Sequence, residues 1–170
     1  MYTRRVRIIE LADISAHVAA LTELLADAVD SGASVSFMST TTREEFAAFW
    51  QAMADEGSNR ILGAFEGERL MGAVMLKLGM PPNQPHRADV AKLLVHRDAR
   101  RKGVARALMK ALDELAREAR RTLLVLDTVT GGAAELLYPT LGWQRVGVIP
   151  DFALFPDGRM CDTTVFFKRL

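Results

Sequence analysis

Apolar residues recur at helical spacing in three stretches of this chain and as short strand-like runs in seven others, and that division predicts its elements. Ile14, Val18, Leu21, Leu25 and Ala28 share one helical face, with Asp13 as N-cap and Gly32 as the stop. Thr42 and Glu45 have capping-box spacing and open a second helix with Phe46, Phe49, Trp50 and Met53 on one side. A longer third helix over residues 103–120 buries Val104, Leu108, Ala111, Leu112, Leu115 and Ala119. A short fourth helix covers residues 133–141, where Pro139 removes an N–H and is expected to kink it.

Strands are expected at residues 5–9, 61–65, 70–78, 88–96, 123–126, 144–148 and 163–169. Glu66-Gly67-Glu68-Arg69 joins two of them as a four-residue hairpin turn, and the prolines Pro81, Pro82 and Pro85 make the following segment a loop. The run 123–126 is apolar throughout, the pattern of a central strand buried on both faces. Three consecutive strands before the long helix imply antiparallel pairing, and the later strand–helix–strand unit implies a parallel pair. The expected fold is one α/β domain over residues 1–170, a mixed sheet with helices on both faces. Its final strand is the expected pairing edge, so the chain is read as a monomer or homodimer.

Composition narrows the function classes. The chain carries 22 basic and 21 acidic residues, a net charge of +1, which argues against a nucleic-acid or membrane-surface partner. No run has the length and apolarity of a membrane span. The arginines Arg4, Arg5 and Arg7 are not followed by the apolar core and cleavage site of a leader. Cys161 is the single cysteine, which excludes an internal disulfide and suits a reducing, cytoplasmic setting. His17, His86 and His96 show no metal-ligand spacing, so no metal is expected.

The basic residues are uneven, however: Arg97, Arg100, Arg101, Lys102 and Arg106 fall within ten positions. They lie where a strand, Leu93-Leu94-Val95, runs into the start of the long helix at Gly103-Val104-Ala105. A helix N-terminus presents free N–H groups and the positive end of its dipole, and small residues let a phosphate reach the backbone. The segment lacks the second glycine and Lys-Ser/Thr pair of a Walker A loop, and has one glycine where the dinucleotide fingerprint needs three. Local chemistry therefore says anion site and no more.

The pattern Arg100-x-x-Gly103-x-Ala105 after an apolar strand resembles the GNAT superfamily of N-acetyltransferases. So does Ala134-x-x-Leu137-Tyr138-x-x-Leu141-Gly142-Trp143, and the element order agrees along most of the chain. Gly32 to Met38, Ala91-Lys92-Leu93-Leu94-Val95, Leu126-Asp127-Thr128 and Pro156-Asp157-Gly158-Arg159 are similar to the tabtoxin resistance acetyltransferase branch. The resemblance implies a GNAT fold, a mostly antiparallel sheet of about seven strands with a splayed parallel pair and about four helices. It also implies an enzyme moving acetyl from acetyl-CoA to a primary amine of a small molecule, on that branch an amino-acid-like or β-lactam toxin.

By the same resemblance Leu93, Leu94 and Val95 receive the pantetheine arm, and Arg100, Arg101, Lys102, Gly103, Val104, Ala105 and Arg106 cradle the diphosphate, with Ala134 beside them. Gly131 stands where many relatives carry a cofactor-holding asparagine. Tyr138 is the expected acid for the departing thiolate. Asp89, eleven residues before Arg100, and Asp127, at the carboxyl end of the next strand, are the two candidate bases. Asp127 is alternatively an anchor for the substrate amine or a turn cap. Val35, Phe37 and the adjacent Met38 are expected to wall the acceptor pocket. A covalent route through Cys161 is disfavoured by its distance in sequence from the basic loop. Two rival readings keep the residues and change the role: a non-catalytic acyl-CoA-binding or sensing module, and a nucleic-acid-binding domain using the basic loop.

Overall fold

The computed structural model describes residues 6–170, so Arg4, Arg5 and the start of the expected first strand lie outside the described residues. The elements run β1 (Arg7–Glu10), α1 (Val18–Asp30), α2 (Arg43–Asp55), β2 (Asn59–Glu66), β3 (Arg69–Lys77), β4 (Arg87–Val95), α3 (Val104–Glu118), β5 (Leu123–Val129), α4 (Ala133–Leu137), β6 (Gln144–Leu154) and β7 (Met160–Arg169). They build one seven-stranded sheet in the order β1-β2-β3-β4-β5-β7-β6. Every neighbouring pair is antiparallel except β4 and β5. The mixed α/β fold with four α-helices matches the expected one.

Local sequence rules explain most boundaries. Thr42 caps α2 by accepting from the Glu45 N–H at 3.3 Å, and Glu45 accepts from the Thr42 N–H at 2.7 Å, completing a capping box. Asp13 accepts from the Ala16 N–H at 3.3 Å, but a 3-10 turn (Ser15–His17) intervenes and α1 starts at Val18. The β2–β3 turn is tighter than expected, because Glu66 pairs with Arg69 and Gly67 takes a left-handed φ of 62°.

Two cores flank the sheet. On one face α3 packs Leu108, Leu112 and Ala116 against Val74, Leu124 and Phe166. On the other, α1 and α2 pack Leu21, Leu25 and Trp50 against Ile61, Ala73 and Met75. Those two helices lie over β2–β4 and leave β5 uncovered on that side. Leu123 and Val125 are consequently half-buried, so β5 is sealed on one face rather than both.

The closing hairpin departs furthest from expectation. β6 continues to Leu154 and β7 begins at Met160, across a register shift between Ile149 and Ala153. Pro150 and Asp151, the latter at φ 51°, interrupt the alternation there, so periodicity hides a strand that a bulge carries through. The final strand is interior, between β5 and β6. The edge belongs to β6, which exposes Val146, Ile149 and Phe152.

Candidate active site

β4 and β5 are paired only over Arg87–Asp89 and Leu123–Val125, at their amino-terminal ends. Beyond that point they separate, and a cleft of about 950 Å³ opens between them. A bulge shapes the wall. Ala73 pairs with Leu94 and Met75 with Ala91, so Val74 faces extra chain, and Lys92 takes a left-handed φ of 53°. A non-glycine residue in that region stores roughly 1–3 kcal/mol of strain, which proteins tolerate mostly at functional sites. The bulge also exchanges faces: Val90 lies in the α3 core, Leu94 in the α1–α2 core.

The basic loop forms the mouth of the cleft on the α3 side. Arg101 and Gly103 both have left-handed φ, 59° and 81°, so successive N–H groups turn toward one concavity. A Cβ at Gly103 would meet no atom within 4 Å, so glycine is needed there for its conformation rather than for space. The first bond of α3 is Ala107 N–H to Gly103 C=O at 3.0 Å, which leaves the N–H groups of Val104, Ala105 and Arg106 without helical partners. Arg101 forms no hydrogen bond or ion pair among the described residues, whereas Arg106 donates to Thr140 Oγ1 at 2.8 Å and Arg100 to the Val95 carbonyl at 3.2 Å. Free donors, an uncommitted guanidinium and the open edge of β4 suit a diphosphate followed by an extended amide-bearing arm.

The loop is latched to α1. Asp27, with a side chain 9% exposed, accepts from the Arg97 N–H at 3.0 Å and from Arg97 Nε at 2.5 Å. Burial works against the Asp27 carboxylate, but the Arg97 hydrogen bonds and the charges of His96 and Arg97 outweigh it and hold the carboxyl below its usual range. His96 is enclosed by Arg69, Asp27 and Asp98.

Tyr138, buried, and Asp127, exposed, also line the cleft. α4 ends at Leu137 and a 3-10 turn (Tyr138–Leu141) follows, with Pro139 in its first turn, where the missing N–H costs nothing. Trp143 and Phe166 pack against the Tyr138 ring, with centroids 5.8 and 5.6 Å away. Tyr138 is 4% exposed, yet its hydroxyl forms no hydrogen bond among the described residues, unlike an ordinary buried structural tyrosine. Burial, then the charge of Asp127, pushes its pKa well above the usual phenol value. Asp127 lines the cleft, and its Oδ2 accepts from Thr163 Oγ1 at 2.7 Å, which leaves Oδ1 free.

Most of the expected site residues meet here: Leu93, Leu94, Val95, Arg100, Arg101, the segment 103–106, Ala134, Tyr138, Asp127 and Val35 all line the cleft. Three stand apart. The Lys102 ammonium turns back to the Asp98 carbonyl at 2.6 Å. Asp89 is ion-paired with Arg87 at the closed end of the β4–β5 pair. Phe37 packs edge-on against Phe46 and Phe49, with centroids 5.2 and 5.3 Å away, behind the wall that Ser34, Val35 and Ser36 make. Gly131 takes a φ of 82° and donates to Glu135 Oε2 at 2.5 Å, so the turn before α4 closes on a carboxylate.

Two polar lining residues, Lys92 and Thr163, were given no role by the sequence, and Cys161 was set aside on its distance along the chain. Lys92 is a lone cation within an apolar strand, a signal open to reading. Thr163 and Cys161 carry none, because β7 reaches the cleft only once the sheet order is known. Cys161 is remote in sequence from the basic loop, yet it lines the same cleft, with Sγ 3.6 Å from Ser34 Oγ.

A splayed parallel pair thus lies beside a helix start with free N–H groups, and a phenol and a carboxylate line the cleft between them. The chain matches the acetyltransferase (GNAT) family over residues 21–143 and belongs to it. The whole fold is similar to ribosomal-protein-alanine N-acetyltransferase from Brucella melitensis, with a TM-score of 0.80 and 23% identity over 96% of this chain and 99% of that one. It is also similar to yncA of Salmonella typhimurium, solved with its cofactor acetyl-CoA, at TM-score 0.81 and 21% identity over 98% and 94%. Phosphinothricin acetyltransferase from Sinorhizobium meliloti, in complex with acetyl-CoA, aligns at TM-score 0.79 and 15% identity over 97% and 88%. The cosubstrate of this chain is accordingly acetyl-CoA.

Proposed function

We propose that this protein transfers acetyl directly from acetyl-CoA to a primary amine of a small molecule, with Asp127 as base and Tyr138 as acid. One observation carries the reading: the β4–β5 cleft holds a free carboxylate oxygen and an unpartnered phenol at the end of an anion-binding loop. Bound there, acetyl-CoA supplies an activated acyl group and a sulfur leaving group. The β4 edge at Leu93–Val95 and the N–H groups of 104–106 hold its arm and diphosphate, and Arg100, Arg101 and Arg106 add charge.

Asp127 Oδ1 takes a proton from the acceptor ammonium, since only the neutral amine has a lone pair to offer. The Tyr138 hydroxyl gives its proton to the departing sulfur, and the phenolate so formed regains one from the second N–H that the acceptor nitrogen loses as the tetrahedral adduct collapses to the amide. The burial that keeps the phenol protonated also destabilises a thiolate beside it, so both anions are disfavoured together and the transfer stays balanced. Asp89 is the weaker base, because Arg87 already engages its carboxylate. Likeness to the tabtoxin resistance branch makes amino-acid-like and β-lactam amines the first acceptors to try.

The test is thiol release from acetyl-CoA across amino acids, β-lactam toxins, polyamines, aminoglycosides and peptides. Asp127→Asn should lower kcat by about a hundredfold or more, the usual scale for a positioned base. Tight acetyl-CoA binding with no turnover on any amine would instead make the chain a sensing module.

A further inference from the structure

On the acceptor side of the cleft Lys92 lies without an acidic partner, and a second lysine, Lys77, stands opposite Asp89 at the closed end of β4. Lys92 lines the wall at the β4 bulge, and its Nζ donates to Ser36 Oγ at 3.0 Å. The same ammonium sits 5.3 Å from the ring centroid of Phe49 and 6.0 Å from that of Phe37. Lys77, at the end of β3, is near enough for its charge to act on Lys92. Lys168 finds a carboxylate in Asp113, but among the described residues neither Lys77 nor Lys92 forms an ion pair. Burial first, and then the charge of Lys77, pulls the Lys92 pKa down, with Asp127 opposing. A half-buried ammonium held by one hydroxyl and two ring faces is undercompensated, and such groups are completed by a partner or neutralised.

The partner on hand is Asp127, and the fold keeps it away. Thr163 fixes Asp127 on β5, Ser36 and the strained bulge fix Lys92 on β4, and the splay holds the two strands apart. A carboxylate and an ammonium that face one cleft without pairing match a ligand carrying the opposite charges at its two ends.

Building on the acetyl-transfer reading above, we propose that Lys92, backed by Lys77, is the specificity determinant of the acceptor half. The acceptor is an amine that also carries an oxyanion, which Lys92 Nζ binds while Asp127 takes the ammonium. Polyamines and aminoglycosides, which bring only positive charge, are rejected by the same two lysines.

The experiment uses matched trios: an α-amino acid, its carboxamide, and the aminophosphonate of the same side chain. Wild-type protein should favour the acid or the phosphonate over the carboxamide by about tenfold to a hundredfold in kcat/KM, the worth of a charge-assisted hydrogen bond. The ratio between carboxylate and phosphonate identifies which oxyanion fits. Lys92→Met should collapse the preference toward one, through KM rather than kcat, and Lys92→Arg should restore part of it. Equal treatment of acid and carboxamide by the wild type, or equal losses on both in Lys92→Met, would overturn the proposal.

A second measurement is independent of turnover. In protein labelled with ¹⁵N-lysine and saturated with coenzyme A, the acids should shift the Lys92 Nζ resonance saturably and the carboxamides should not. Absence of that shift in an active acetyltransferase would sink the anion site alone. A saturable shift without acetyl transfer to any amine would sink the catalytic reading and leave the anion site standing.

Discussion

The two halves of the cleft are built in opposite ways. The cofactor half comes from one continuous segment, in which strand, loop and helix start follow one another between Leu93 and Arg106. The acceptor half is assembled from the loop after α1, the β4 bulge, the end of β5 and the start of β7. Contiguity allows a constant ligand to be held by backbone groups, which tolerate side-chain substitution except where a left-handed φ requires glycine, as at Gly103. Dispersal would let each wall of the proposed acceptor pocket vary without disturbing the loop proposed to hold the diphosphate. The carboxylate and the phenol stand at the seam, and the comparison breaks most visibly there.

Tyr138→Phe stands with Asp127→Asn as one of the two largest effects expected of a single change in the cleft. Trp143 and Phe166 hold the ring on two sides, so removing the hydroxyl leaves packing intact and deletes one proton. We expect kcat to fall by about a hundredfold, the lower range for general acid catalysis, with acetyl-CoA binding unchanged. Stopped-time thiol release and equilibrium titration with coenzyme A separate the two quantities. An unchanged kcat would remove the phenol from the chemistry and leave Asp127 to act alone.

The next effect tests the cofactor half. At φ 81° a β-branched side chain is strained whatever space surrounds it, and a Cβ at position 103 would meet open space. Gly103→Val should therefore cost about 1–2 kcal/mol of local strain and turn the N–H groups at the start of α3 out of line. Acetyl-CoA KM should rise about tenfold, while the relative rates on different acceptors stay as they were. A change in acceptor preference would show that the two halves are not separable.

How much of this was legible in sequence follows from the same asymmetry. The loop from Arg100 to Ala105 is legible because strand, glycine and helix start are neighbours in the chain, and hydrophobic period gives the first three helices, whereas α4 buries no residue and carries no such period. The capping box at Thr42 and Glu45 needs only three residues of spacing. The bulge at Lys92 was not legible, because a single cation in an apolar strand reads as ordinary strand until its pairing with β3 is known. Thr163 was hidden and Cys161 set aside for a different reason: β7 lies beside β5 only through a sheet order that local patterns do not encode. Asp89 was placed at the right strand end, but that this is the closed end of the β4–β5 pair follows only from their register.

The smallest effect concerns what joins the halves. Asp27 belongs to α1, on the acceptor side of the sheet, and yet it grips the backbone and side chain of Arg97 at the entrance to the cofactor loop. Its carboxyl sits below the usual range in the folded chain. A carboxylate depressed on folding contributes stability that is present above its unfolded value and disappears as pH falls through the folded one. Wild-type protein should therefore lose stability on acidification below about pH 4, and Asp27→Asn should lose less over that interval because its share is already gone. At neutral pH the same variant should be about 1–3 kcal/mol less stable, as expected when a hydrogen bond to a charged group is removed. Thermal melting across pH for both proteins measures it. If the two curves ran parallel from pH 7 to pH 3, Asp27 would be a packing residue rather than a latch. The basic loop would then owe its position to β4 and α3 alone.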